Sequence, residues 1–189
     1  MRVIAGEYRS RKLRSLAGLA IRPTADRLRE TLFNVLCAGD PAALAESVWV
    51  DLYAGTGAVG IEALSRGARM VSFVESSTAA ADLIAANLKS LGIAGGFQIV
   101  RGDTGKALRQ LDAAGRTADC VFLDPPYSMP EEYAKTLAAL AQVKVLHARS
   151  VVIAEHDKRF DPGEAFGQLR RYRTLAQGDA ALSFYRRTY

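Results

Sequence analysis

The chain has 189 residues, the length of one domain with at most a small appendage. Hydrophobic residues at 49% and charged residues at 24% exclude a disordered or collagen-like chain, and no run of 18 apolar residues offers a membrane span. The net charge of +5 is uneven: residues 1–36 carry +5, residues 37–157 carry −4 and residues 158–189 carry +4, so both ends favour a polyanionic partner.

Residues 2–22 read as one or two short strands with turns near Gly6 and Ser10, carrying Arg9, Arg11, Lys12 and Arg14. Thr24 is an N-cap candidate for a helix whose apolar stripe is Leu28, Leu32, Val35 and Leu36, and Gly39-Asp40-Pro41 ends it. Val48 to Tyr53 is an apolar run suited to a strand buried on both faces. A glycine loop and a helix through Arg66 follow, then a strand over Met70–Glu75, a helix over 78–90 and a strand over Phe97–Val100. Residues 104–113 read as a short helix, Cys120–Asp124 as the fourth strand, 131–143 as a helix and Ser150–Glu155 as the fifth strand. Strands alternating with helices imply right-handed crossovers and a parallel sheet. Residues 168–175 and 180–187, joined by a turn at Gln177-Gly178-Asp179, read instead as an antiparallel hairpin.

Cys37 and Cys120 lie 83 residues apart with no CxxC spacing, and His147 and His156 are the only histidines. The thiols read as reduced and cytoplasmic, with no zinc site and no Ser-His-Asp triad. The start, Met1 to Glu7, has no apolar signal region.

Gly55, Gly57 and Gly60 spell G-x-G-x-x-G between a strand and a helix, where tight turns and free helix amides admit a ligand. Glu75 follows Gly55 by 20 residues, at the end of the next strand, where a carboxylate can accept from both hydroxyls of a ribose. Nicotinamide dehydrogenases and S-adenosylmethionine methyltransferases both use this arrangement. Two further acids favour the second. Asp51, four residues before Gly55, suits a cationic amino group and sulfonium and would repel a pyrophosphate. Asp103, at the end of the third strand, can accept from an adenine amino group.

Asp124-Pro125-Pro126-Tyr127 leaves the fourth strand directly. Its two prolines fix φ and remove two N–H donors, so the turn offers carbonyls, one acid and a projecting ring. That set suits an exocyclic amine on a planar base, whose lone pair is delocalised into the ring. The Asp124 side chain and the Pro125 carbonyl accept its hydrogens, and Tyr127 stacks on a base taken out of its helix.

These residues resemble the amino-methyltransferases, whose fourth motif is (Asn/Asp)-Pro-Pro-(Tyr/Phe/Trp). Arg22 to Leu36, Asp51-Leu52-Tyr53-Ala54-Gly55-Thr56-Gly57, Glu62 to Ala68, Val121 to Tyr127 and Gly178 to Tyr185 are together similar to the bacterial RsmD family, over nearly the whole chain. Tyr53 stands where that family often carries Phe. The resemblance implies a Rossmann-like α/β methyltransferase sheet of seven strands, mostly parallel and closed by the antiparallel hairpin, over residues 23–189, with a basic β extension over residues 1–22. It implies S-adenosylmethionine-dependent methylation of the N2 amine of a guanine in 16S ribosomal RNA, within the assembled small subunit. A cytoplasmic monomer is expected, with no membrane partner, and no metal is needed because the sulfonium leaves without one.

The expected catalytic turn is therefore Asp124, Pro125, Pro126 and Tyr127. The expected cofactor residues are Asp51, Tyr53, Ala54, Gly55, Thr56, Gly57, Gly60, Glu75, Ser76, Asp103 and Thr104. The expected RNA contacts are Arg9, Arg11, Lys12 and Arg14, with Tyr8 placed to stack on a base, and Arg22, Thr24 and Arg27 nearer the reacting guanine. A second basic end lies around Arg170, Arg171 and Arg173. A nicotinamide oxidoreductase would leave the Asp-Pro-Pro-Tyr turn unexplained. A non-catalytic RNA-binding assembly factor would use the same basic ends, and a DNA adenine-N6 methyltransferase would lack a DNA-reading domain here.

Overall fold

A computed structural model describes residues 1–15 and 23–188. Its strands are β1 (Val48–Leu52), β2 (Met70–Glu75), β3 (Phe97–Arg101), β4 (Ala118–Leu123), β5 (Leu146–Asp157), β6 (Ala165–Phe166), β7 (Leu169–Gln177) and β8 (Ala180–Arg187). Its helices are α1 (Pro23–Cys37), α2 (Ala58–Ser65), α3 (Thr78–Leu91), α4 (Thr104–Ala113) and α5 (Glu131–Gln142).

The strands form one sheet in the order β3-β2-β1-β4-β5-β8-β7-β6. β1 to β5 are parallel, and β8 joins β5 antiparallel to close the sheet with the expected hairpin. The alternation of side chains along each strand sorts the core into two layers. Trp49, Phe73, Phe122, Ile153 and Phe184 face α1, α2 and α3, whereas Val50, Val74, Val121, Val152 and Tyr185 face α4 and α5. Both sides are covered, which is why the inner parallel strands are mostly apolar on both faces. The order reverses between β1 and β4, so the loops after these two strands part and leave a crevice at their carboxyl ends.

Two details differ from the sequence reading. The sheet has an eighth strand, β6, whose two residues are too few to show a periodicity. Among the described residues, the amino-terminal segment holds one isolated antiparallel bridge, Arg2 to Lys12, in place of regular strands; the Val3 and Leu13 amides donate to the Arg11 and Met1 carbonyls, and the chain turns through left-handed backbone at Gly6 (φ 82) and Ser10 (φ 67). Its Ile4 and Ala5 amides go to the buried Glu62 carboxylate of α2, at 2.8 and 3.0 Å, instead of to a neighbouring strand. Val3 and Leu13 then pack into the α1–α2–α3 side of the core. Glu62 is held further by Arg66 at 2.8 Å and Arg29 at 3.9 Å.

Candidate active site

A cavity of about 780 Å³ opens at the carboxyl ends of β1, β2, β4 and β5. That volume lies in the range of small-molecule sites. The loop after β1 forms one wall. Tyr53 (φ 60), Gly55 (φ 55) and Gly57 (φ 76) all take left-handed backbone, so the chain reverses within a few residues and delivers α2 end-on. Tyr53 is the costly member, since a side chain there is strained. Its hydroxyl is anchored to Glu132 at 2.9 Å and Thr136 at 2.7 Å on α5, a role that Phe has no atom to fill.

Glu75 ends β2 and closes the loop. One of its oxygens accepts the Gly55 amide at 2.8 Å and the other accepts the Ser77 amide at 2.7 Å. Glu75 and Ser76 line the cavity beside Tyr53 and Gly55, with Gly102, Asp103 and Thr104 from the turn after β3. Asp103 also caps α4 by accepting the Lys106 amide at 2.8 Å, and that amide holds its carboxyl below the usual range.

The remaining expected cofactor residues shape the loop from behind. Asp51 is 2% exposed and accepts the Gly60 amide at 3.0 Å. Burial pushes its carboxyl up to about 8, against the pull of that amide. It faces α2 because it stands next to last in β1, on the side of Trp49 and Phe73. Gly60 packs α2 onto the sheet, where an added Cβ would meet the Phe73 ring at 2.3 Å. Thr56 gives its carbonyl to Asn87, and Ala54 and Gly57 are joined through the loop's own backbone at 2.7 Å. None of these five lines the cavity.

Asp124, Pro125, Pro126 and Tyr127 form the opposite wall. Pro126 steadies the turn by accepting the Met129 amide at 2.8 Å, and Tyr127 is 48% exposed at the mouth. Leu123 pairs with Ala154 across β4 and β5, so Asp124 and Glu155 follow side by side at the ends of adjacent strands. Burial and the mutual repulsion of these two carboxyls, with Asp51 behind, hold Asp124 well above the carboxylate range. Glu155 is pushed up to about 7 by burial, with Arg29 pulling the other way.

Glu155, Glu132, Lys135 and Met129 also line the cavity and were not singled out from the sequence. Glu155 carried a signal: like Glu75 and Asp103, it is an acid at the carboxyl end of a parallel strand. Glu132 and Lys135 lie on a helix of ordinary composition and carried none. The lining thus holds five carboxyl groups against one lysine, and Lys135 is itself paired with Glu132 at 2.8 Å. Such a wall suits a cation and would repel a pyrophosphate. No group of acid, histidine or cysteine side chains able to hold a metal ion occurs among the described residues.

The basic amino-terminal residues Arg9, Arg11, Lys12 and Arg14 are exposed, as is Arg27 on α1. Arg11 reaches the Ser90 carbonyl at 2.9 Å, and the Arg14 amide bonds Asn87 at 2.8 Å, so the segment is fixed along α3. Tyr8 is half-buried, with one side packed against the core. Arg22 and the side chain of Thr24 lie outside the described residues.

Residues 1–186 match the family described as conserved hypothetical protein 95. The Bacillus subtilis (strain 168) protein YlbH, named for rRNA methyltransfer, is 33% identical over 188 residues, which cover 99% of each chain. The ribosomal RNA small subunit methyltransferase D of Escherichia coli (strain K12) is 37% identical over 127 residues, 67% of this chain and 60% of that protein. Among solved structures, yhhF from Escherichia coli superposes with a TM-score of 0.83 at 28% identity, over 100% of this chain and 98% of that one. With its sheet order, its glycine loop and its Asp-Pro-Pro-Tyr turn in place, the chain belongs to the conserved hypothetical protein 95 family, the RsmD family that its motifs resemble.

Proposed function

We propose that this protein methylates the N2 amine of a guanine in 16S ribosomal RNA, within the assembled small subunit, with S-adenosylmethionine as cofactor. The observation that carries the reading is the wall of carboxyl groups around a cavity whose rim is the Asp124–Tyr127 turn. The names of the relatives support the rRNA assignment.

The cavity residues fit a cationic nucleoside. Glu75 holds the ribose with the lone pairs left over from its two amide bonds. Asp103 and Thr104 take the adenine side, and Tyr53, Gly55 and Ser76 shape the wall between. When bound, the cofactor supplies a methyl group that passes from sulfur to nitrogen while the sulfur keeps the bonding pair. Asp124 and the Pro125 carbonyl accept the hydrogens of the guanine amine and turn its lone pair toward the cavity. Tyr127 stacks on the flipped base. The amine sheds one proton once its new bond to carbon has formed, and Glu155, beside Asp124 and lining the cavity, takes it. Arg9, Arg11, Lys12, Arg14 and Arg27 meet phosphates on the particle.

The direct test is transfer of labelled methyl to small ribosomal particles from a strain lacking the enzyme, with the modified nucleoside identified by mass. N2-methylguanosine is the expected product. Label on adenosine, or no label on RNA, overturns the assignment.

A further inference from the structure

Seven basic residues follow Asp157, and the structure sorts them sharply. Arg171 is paired with Asp161 and Glu164, Lys158 with Asp179 and Arg159 with Asp157. Arg170 donates to the carbonyls of Gly167 and Leu169, and Arg187 to those of Leu146, Ala141 and Val143. Arg173 and Arg186 are the two left without an acid or carbonyl partner among the described residues. Both line the same cavity, of about 500 Å³, and so does Arg149 from β5, which is likewise unpaired there.

This cavity lies between the end of α1 and the hairpin, at the amino ends of the parallel strands. Asp119 borders it and Asp124 borders the catalytic cavity, one at each end of β4, so about 17 Å of strand separates the two. The two acids in its lining are engaged elsewhere. Asp119 accepts the Val48 amide at 2.8 Å and meets His147 at 3.0 Å, and Glu46 faces Arg69 at 4.0 Å. Tyr172 is 48% exposed at the rim, with the Arg186 guanidinium 4.6 Å above its ring. Arg173 lies over Phe184 at 5.8 Å. A register shift between Arg171 and Arg173 leaves Tyr172 as the extra residue of a bulge in β7.

We infer that Arg149, Arg173, Arg186 and Tyr172 form a second RNA-binding surface, which takes a single-stranded segment by its phosphates and one stacked base. Guanidinia without an acid partner beside an exposed ring are the combination that single strands require: cations for the backbone, and an aromatic or guanidinium plane for a base. An acidic protein segment would use the cations alone and leave the ring idle. The inference rests on the rRNA reading above. It adds that the particle is held at both ends of the sheet, one strand at the catalytic cavity and another some 17 Å behind it.

The test is binding of a short oligouridylate and of small ribosomal particles at graded salt. The triple variant Arg149→Ser/Arg173→Ser/Arg186→Ser should lower the slope of log K against log salt by about 0.7 for each phosphate it no longer neutralises, near 2 in all, with S-adenosylmethionine affinity at the parent value. Tyr172→Ala should weaken oligouridylate binding about fivefold or more, and Tyr172→Phe should keep it. A parent slope in the triple variant overturns the inference, as does a glutamate-rich peptide that competes with oligouridylate equally well. If the parent enzyme itself transfers no methyl to the particles, the failure belongs to the rRNA reading and not to this surface.

Discussion

Glu75 bridges two amides on one wall of the cleft, Gly55 after β1 and Ser77 after β2, so the acid that ends β2 also holds the glycine loop in place. Glu75→Ala should weaken S-adenosylmethionine binding by about 1.5–3 kcal/mol, the range for a hydrogen bond to a charged group. Glu75→Gln keeps one acceptor oxygen and should fall between the two. Titration calorimetry on the folded variants checks this, and an unchanged affinity in Glu75→Ala would remove the ribose assignment.

Asp124→Ala should spare RNA binding and lower the single-turnover methylation rate by roughly 10²–10³-fold, as removing one preorganised polar group from a reacting atom does. Tyr127→Ala should cost about 1–3 kcal/mol of base stacking, read as slower turnover on particles. Methylation by Asp124→Ala at the parent rate would show that the amine is oriented by something else.

Glu155 links the site to pH. Its carboxyl titrates near 7 in the fold, above the usual range, so it costs stability as it ionises and the protein without cofactor loses that contribution as pH rises through 7. A cationic ligand has the opposite preference, because it favours the ionised carboxylate. S-adenosylmethionine affinity should therefore rise between about pH 6 and 8, with protons released on binding, whereas the uncharged thioether product should bind with a flatter profile. Calorimetry in buffers of different ionisation enthalpy reads the released protons. Glu155→Gln should abolish most of the slope and be more stable than the parent at pH 8. A pH-independent affinity in the parent would exclude Glu155 as the responsive group.

Glu62 is fully enclosed and holds the Ile4 and Ala5 amides together with Arg66. Glu62→Ala strands Arg66 and two amides and should lower stability by about 3–5 kcal/mol, the usual cost of breaking a buried charge pair from one side. Chemical denaturation gives the value. Proteolysis should then cut first within residues 1–15, and a protease pattern identical to the parent would contradict that anchoring.

The inner parallel strands were legible because they are buried on both faces, and Glu75 was legible because a fixed spacing separates it from Gly55. Asp51 was not. Whether an acid near a strand end meets the cleft or a helix depends on which face its position in the pleat selects, and here that face belongs to α2. The arginines of the hairpin were no easier. Arg171 and Arg173 look alike in the chain, and only the folding back of Asp161 and Glu164 consumes one and leaves the other. The amino-terminal segment misled for a related reason: its Ile4 and Ala5 amides are answered by a carboxylate 58 and 57 residues away, which no local pattern announces.

The anchoring of that segment on α2 also sets an order of assembly. During synthesis at about 5–20 residues per second, Ile4 leaves the ribosome roughly 3–12 s before Glu62 does. The basic segment therefore waits, with its Ile4 and Ala5 amides unanswered, until the helix behind the glycine loop has been made. A nascent chain cut short before Glu62 carries every arginine of that segment and has nothing to dock it on. The phosphate grip proposed for it matures only together with the wall of the cofactor cavity.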